Sequence, residues 1–489
     1  MTRPHVIVVG GGLAGITAAI KLREAGSEVT LLEAKGWLGG ATCSFSRGDL
    51  SIDNGQHVFL RCCTAYLGLL AKLGMTGSVT IQDRFDVTVL SPDGQARLRR
   101  SGLPAPLHMA GALGRYSLLS VADRLRVGRA ALAMRFARSE DPRLDGVSSG
   151  RWLAAHGQRE QARRRLWDLF IVSTLNISGD EASTALTAKV IKTALLQGRS
   201  AADIGIPNIP LGQLHGQAAH ELLSRLGVRV RLGVKAIALE QGDDGFRVRA
   251  LSRADIGESA LAVDDSDHGD SGDGDGGDGM ALRADGVVLA VPAGVAARLA
   301  PAAEQAAAGW AALGSAPIVN VHVIYDRQVT SLSFAAAVDS PVQWVFDKTR
   351  QAGVQSGQYL VVSLSAADEY VDVPAAALRE QFLPALRGLF PAAAEATIRD
   401  FFVTRERRAT FRQTPGCGAL RPGAATSLSK LVLAGAWTDT GWPDTMEGAV
   451  RSGLTAARQM QRQLAELALA ATPNRADVMA AQTPAGAPS

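Results

Sequence analysis

Residues 5–9 form a short apolar run, and a helical spacing of apolar positions follows from about 13 to 25. Gly26 stands where a helix C-terminus takes a glycine. Residues 28–32 predict a second strand, so the chain opens with strand, helix, strand, the first half of a parallel doubly wound sheet. Residues 115–199 are mostly helical in spacing, with 121–137 and 158–173 as examples. A helix at about 212–226 precedes a strand pair, 228–232 and 234–239. Residues 286–291 predict a buried strand stopped by Pro292, and 318–325 and 358–364 predict strands of a second sheet. A last strand is predicted at 432–435 and a last helix at 445–469.

Two segments have no material for a core. Residues 264–279 are nearly all Asp, Gly and Ser and predict a disordered insertion in a hairpin loop. The Ala/Pro-rich tail, 470–489, predicts the same.

A chain of 489 residues exceeds what one hydrophobic core organises, so two domains are expected. Apolar residues are 47% and charged residues 20%, ordinary for a soluble globular protein. The net charge of +4 is too small to steer the whole protein to nucleic acid, and none is expected as a partner. The basic charge is uneven, however. Residues 97–138 hold nine arginines and one acid, Asp123, among Leu103, Leu107, Leu113, Tyr116, Leu118 and Leu119. That mixture suits an anionic membrane surface, and equally a solvated helix face. Cys43, Cys62, Cys63 and Cys417 form no Cys-x-x-Cys, and no His cluster has zinc spacing, so no metal is expected. Reduced thiols, an opening strand in place of a signal peptide and no apolar run of spanning length point to a cytoplasmic protein, with any membrane contact peripheral.

Gly10-Gly11-Gly12-Leu13-Ala14-Gly15 fits G-x-G-x-x-G between a strand and a helix. Gly10 permits the tight turn, Gly12 lets backbone approach a pyrophosphate, and Gly15 lets helix and strand pack closely. The helix start offers free N–H groups to phosphate. Glu33, 18 residues past Gly15, can accept hydrogen bonds from ribose hydroxyls.

Glu33 leads into Ala34 and then Leu38-Gly39-Gly40. With Asp53-Asn54-Gly55-Gln56-His57, Leu433-Ala434-Gly435-Ala436-Trp437-Thr438-Asp439 and Met446-Glu447-Gly448-Ala449-Val450, this pattern resembles the amine oxidase and phytoene desaturase superfamily of FAD proteins. The resemblance implies an α/β fold: a Rossmann-like FAD-binding domain (1–80, 208–302 and 416–465) with a discontinuous α+β substrate domain (81–207 and 303–415). It implies non-covalent FAD at Gly10, Gly12, Leu13, Ala14, Gly15, Glu33, Ala34, Gly39, Gly40, Gly55, Gln56, His57, Val234, Gly435, Trp437, Asp439, Met446, Glu447 and Ala449. Asp439 would hold the ribityl chain or pyrophosphate, and the helix from Met446 would start under the flavin pyrimidine. There, its N-terminus would stabilise charge on reduced flavin. No motif argues that Cys417 reaches the ring.

Within that superfamily the chain resembles the hydroxysqualene dehydroxylases. The residues that carry this are Leu50 to His57, Arg165 to Phe170 with Leu175-Asn176, Gln343 to Asp347, Arg407 to Phe411 and Gly441 to Gly448. The implied reaction is replacement of an allylic hydroxyl by hydrogen, giving squalene, with a long apolar isoprenoid as substrate and an unidentified electron donor. Ala41 departs from the pattern, since relatives often carry Arg there. An acid for the departing hydroxyl is required. His57 is the first candidate, the alternative being a histidine that only hydrogen-bonds backbone. Asp53 is the second, with a cap on the Asn54-Gly55 turn as the favoured role. Glu447 is assigned to its helix start rather than to the reaction. Trp344, Trp437 and Trp442 are candidates to wall an apolar cavity, though each is more often core. Desaturation of a similar polyene, amine oxidation and a non-catalytic FAD scaffold are the competing functions.

Overall fold

Val6 to Val9 are almost fully buried, as strands covered on both faces are. The computed structural model describes residues 3–243, 245–252, 280–300 and 306–470, and sets this strand at the centre of a five-stranded parallel sheet. The order is Arg229–Leu232, Glu28–Glu33, His5–Val9, Gly286–Leu289, Leu431–Leu433. Helix Leu13–Glu24 packs against the last helix, Met446–Ala470, on one side of it. Gly26 ends the first helix with φ +97°, the left-handed conformation that a side chain resists.

The two strands predicted at 228–232 and 234–239 are both present, in different sheets. Arg229–Leu232 joins the parallel sheet beside Glu28–Glu33, whereas Val234–Gly242 pairs with Gly245–Ser252 in a separate three-stranded antiparallel sheet. One residue, Gly233 at φ +68°, separates the two strands, too few for a hairpin turn, so the chain changes sheets there. Gly245–Ser252 and Met280–Ala284 are antiparallel neighbours. The Asp/Gly-rich stretch 264–279, and 471–489, lie outside the described residues.

A seven-stranded sheet carries the rest. Its order is Ile398–Thr410, Ala316–Tyr325, Gln358–Leu364, Trp344–Asp347, Phe334–Ala337, Asp86–Ser91, Gly94–Arg99. Helix Ala375–Leu389 covers one face, burying Leu378, Phe382 and Leu386 against Val319, Val321 and Val323. From the other face Phe334 and Phe346 join an apolar cluster shared with Trp437 and the helical segment. In the basic stretch, Tyr116 and Leu119 are core rather than surface, while Leu103 and Leu107 are exposed. No described helix is long and apolar enough to cross a membrane.

Candidate active site

The glycines of the first turn divide into two kinds. A β-carbon on Gly10 (φ +104°) would stand 2.3 Å from the Ala290 carbonyl oxygen, and one on Gly15 would stand 1.9 Å from that of Gly10. These two are required by the fold. Gly12 has an ordinary φ of −74°, and a β-carbon there would meet nothing nearer than the Gly40 α-carbon at 3.9 Å. The space beside Gly12 is therefore open. Leu13 and Ala14 are buried in a helix start with no side-chain cap and no acid in its first turn. Its N–H groups and partial positive charge stand ready for an anion.

Glu33 is buried at the end of its strand. One carboxylate oxygen accepts the Gly11 N–H at 2.6 Å and the other the Lys35 N–H at 2.8 Å. Each keeps a lone pair for a further donor. Ala34 follows, half-buried. Gly39 donates to the Gly11 carbonyl at 2.9 Å, and Gly40 lies against Gly12. Gly233 donates to the Lys35 carbonyl, which brings buried Val234 beside the same turn.

In the second motif, Gly55 leaves room for the His57 ring, which a β-carbon would approach to 3.0 Å. Gln56 Oε1 is buried with no partner among the described residues. Such an acceptor wants a donor from a ligand. Burial pushes the His57 imidazole down to about 4, with the Lys348 cation acting in the same sense against Asp53. That lowering makes His57 less readily protonated than an ordinary imidazole, and a hydrogen bond with the Ala41 backbone fits the alternative of a histidine that only hydrogen-bonds backbone.

For Asp53 the favoured role is corrected. It does not cap the Asn54-Gly55 turn. It accepts from Ser44 Oγ (2.6 Å), the Leu211 N–H (2.9 Å) and Gln351 Nε2 (2.7 Å), and pairs with Lys348 Nζ at 3.3 Å. Both oxygens are engaged, so Asp53 ties three segments together.

The third motif turns at Gly435 (φ +144°), where a β-carbon would stand 2.4 Å from Trp437 Nε1. That indole donates to the Val291 carbonyl at 2.8 Å and packs on Trp310, so Trp437 is core. Trp344 packs with Phe334 and Phe346. Trp442 is half-buried, with Lys189 and Arg451 over its ring. Asp439 is exposed, one oxygen accepting the Gly441 N–H at 3.1 Å. Met446 and Ala449 are half-buried. Glu447 is buried and serves a helix other than its own: it accepts the Ala65 and Tyr66 N–H groups at the start of Thr64–Lys72, at 3.1 and 2.8 Å, and pairs with Arg451.

Two residues have no role predicted from sequence, although Asp444 falls inside the Gly441–Gly448 segment. Arg421 is buried and donates to the carbonyls of Ala436, Trp437, Thr438 and Trp442, holding the whole 436–442 loop. Asp444 lies just before the last helix; its Oδ2 accepts the Phe411 N–H at 2.8 Å, and burial pushes its carboxyl up to about 6. Only their packing in the fold distinguishes either from a surface charge: Arg421 is buried and Asp444 half-buried. Burial pushes the Cys417 thiol up to about 12, so it offers no thiolate for covalent attachment. The clefts around Asp168 and Asp180 and around Arg97 and Leu332 lie apart from these motifs.

The open ground at Gly12, the uncapped helix start and the orphaned Gln56 Oε1 fit FAD. A profile of the family described as flavin-containing amine oxidoreductase matches residues 13–461. The chain is 31% identical over 458 residues to hydroxysqualene dehydroxylase of Rhodopseudomonas palustris, covering 92% of this chain and 97% of that protein. It is 24% identical over 511 residues to zeta-carotene desaturase of Synechocystis sp., covering 95% and 98%. Among solved structures, wild-type putrescine oxidase bound to putrescine superposes with TM-score 0.66 at 18% identity, covering 96% and 99% of the two chains. Cyclohexylamine oxidase from Brevibacterium oxydans does so with TM-score 0.66 at 18% identity, covering 95% and 100%.

Proposed function

Since the chain belongs to the flavin-containing amine oxidoreductase family, on its hydroxysqualene dehydroxylase branch, we propose that it removes the hydroxyl of hydroxysqualene reductively to give squalene. It is an FAD-dependent oxidoreductase. The observation that carries the substrate is the whole-length likeness to hydroxysqualene dehydroxylase, which takes in the seven-stranded sheet as well as the glycine turn. Segments 1–80, 208–302 and 416–465 form the dinucleotide domain in this reading, and 81–207 and 303–415 the substrate domain.

Bound FAD supplies a centre for two-electron hydride transfer. The uncapped start of Leu13–Glu24 would hold its pyrophosphate, Glu33 its ribose and Asp439 the linking chain, and Gln56 Oε1 would accept from a donor of the cofactor, all without a covalent bond. Loss of an allylic hydroxyl as water needs a proton at its oxygen. The candidate donors are His57, Asp53 and, just before the last helix, Asp444, whose carboxyl burial raises to about 6. The aromatic and aliphatic cluster around Phe334, Phe346 and Phe411 keeps water from the reacting centre. A hydrocarbon of this size is supplied from a membrane, here the cytoplasmic face, and the electron donor is a separate partner.

The test is anaerobic incubation of the reduced holoenzyme with hydroxysqualene, followed by product mass analysis. Squalene with matching flavin oxidation is the expected result. Desaturated products from the oxidised enzyme and a polyene would replace the reading with desaturation, and peroxide release on amines would replace it with amine oxidation.

A further inference from the structure

Helix Val121–Phe136 buries Asp123, Val127, Ala130 and Met134. Its opposite face is apolar too: Val121, Leu125, Leu132 and Phe136 are 65%, 69%, 54% and 75% exposed. Helical periodicity gathers these four side chains into one narrow strip. Leu103 and Leu107, in the segment leading into the helix, are also more than half exposed. Large exposed apolar groups scattered singly need no explanation, but a contiguous set marks a contact surface.

The charges along the strip are mostly basic, with exposed Glu140 just beyond the helix end. Arg115, Arg129 and Arg138 form no ion pair among the described residues, and the sole acid of the helix, Asp123, is buried against Arg126. An exposed apolar strip rimmed by unpaired arginines is complementary to an anionic lipid interface. We propose that the strip Val121, Leu125, Leu132 and Phe136, rimmed by Arg115, Arg129 and Arg138, docks on an anionic phospholipid bilayer with its apolar side chains in the acyl boundary. The purpose of docking rests on the isoprenoid reading above; the binding itself does not. Beneath the strip, Val127, Ala130 and Met134 anchor the helix in the apolar cluster that also holds Phe411 and Trp437.

The experiment uses the full FAD-loaded chain in co-sedimentation with phosphatidylcholine vesicles, with and without phosphatidylglycerol, at low and raised salt. Wild type is expected to bind the anionic vesicles and to release as salt rises. Leu125→Ser with Phe136→Ser is expected to lower binding to anionic vesicles by about tenfold or more. Arg115→Gln, Arg129→Gln and Arg138→Gln together are expected to remove the anionic preference and the salt dependence. Flavin absorbance and turnover of detergent-dispersed substrate should stay at wild-type level in both variants. Wild type ignoring anionic vesicles at low salt, or both variants binding like wild type, would overturn the proposal. So would a dimer in solution that Phe136→Ser dissolves, since the strip would then face a second copy. Intact vesicle binding without turnover of hydroxysqualene would instead count against the functional reading alone.

Discussion

Gly12 and Gly40 face each other so closely that a β-carbon on Gly40 would stand 2.9 Å from the Gly12 α-carbon, yet one on Gly12 would find its nearest neighbour at 3.9 Å. The asymmetry separates a glycine needed by the fold from one needed by a ligand. Gly12→Ala is expected to fold and melt near the apo wild type, because its φ of −74° suits alanine, but to lose FAD, because the methyl occupies the pyrophosphate's ground. Gly15→Ala is expected to fail to fold, since its methyl would sit 1.9 Å from the Gly10 carbonyl oxygen. Flavin absorbance per folded molecule, with circular dichroism alongside, checks both. A yellow, wild-type-like Gly12→Ala would place the pyrophosphate elsewhere.

Glu447 should behave as a structural carboxylate. It satisfies two N–H groups at the start of Thr64–Lys72 and pairs with Arg451 while fully buried. Glu447→Ala strands those donors and the guanidinium, at a cost of about 3 kcal/mol. Denaturant melts should show that loss, with Glu447→Gln closer to wild type. Flavin content of the molecules still folded should be unchanged.

How much of this was legible depends on distance along the chain. The glycine turn and Glu33 are local: strand, turn, helix and acid fall within one βαβ unit, so spacing reveals both fold and ligand. The parallel sheet and the second sheet were legible from apolar runs. What was not legible is what depends on long-range pairing. Asp53 looks like a turn cap in sequence because nothing there shows Lys348, Gln351 and Leu211 converging on it. Glu447 looks like part of its own helix because the helix it caps lies hundreds of residues away. His57 carries the right chemistry for an acid, and nothing in sequence shows the burial that lowers its pKa. Arg421 is an unremarkable arginine until four loop carbonyls close on it.

The Asp53–Lys348 pair is buried on both sides, so removing one partner leaves a charge in a dehydrated place. Lys348→Met alone is expected to cost about 3–5 kcal/mol, and Asp53→Asn a similar amount. The double variant should recover part of that loss, because no lone charge remains. A chemical denaturation cycle of the four proteins measures the coupling. Additive losses would mean that each residue acts through other neighbours. If Asp53→Asn kept full stability and lost only turnover, Asp53 would be the acid after all.

Asp444 gives the pH dependence its sign. Burial raises its carboxyl from the ordinary 3.8 to about 6, and the Phe411 N–H and Arg421 only partly offset this. A donor must be protonated, so the dehydroxylation rate should be high below pH 6 and fall by about tenfold per pH unit above it. Stability follows the same direction. The folded chain holds this proton more tightly than the unfolded one, so the contribution is fully present below about pH 3.8 and is lost as pH rises through about 6. Across that window the difference is on the order of 3 kcal/mol, an upper value for a side chain that keeps some contact with water. Asp444→Asn removes the ionisation. It should be more stable than wild type at pH 8, show no pH step near 6, keep its flavin, and lose turnover by about a hundredfold or more. Melting curves at pH 5 and pH 8, with single-turnover rates at both, separate the two roles. A variant that gains stability at pH 8 but keeps the wild-type rate and its pH profile would leave Asp444 a structural acid, and the proton would have to come from elsewhere in the site, His57 or Asp53.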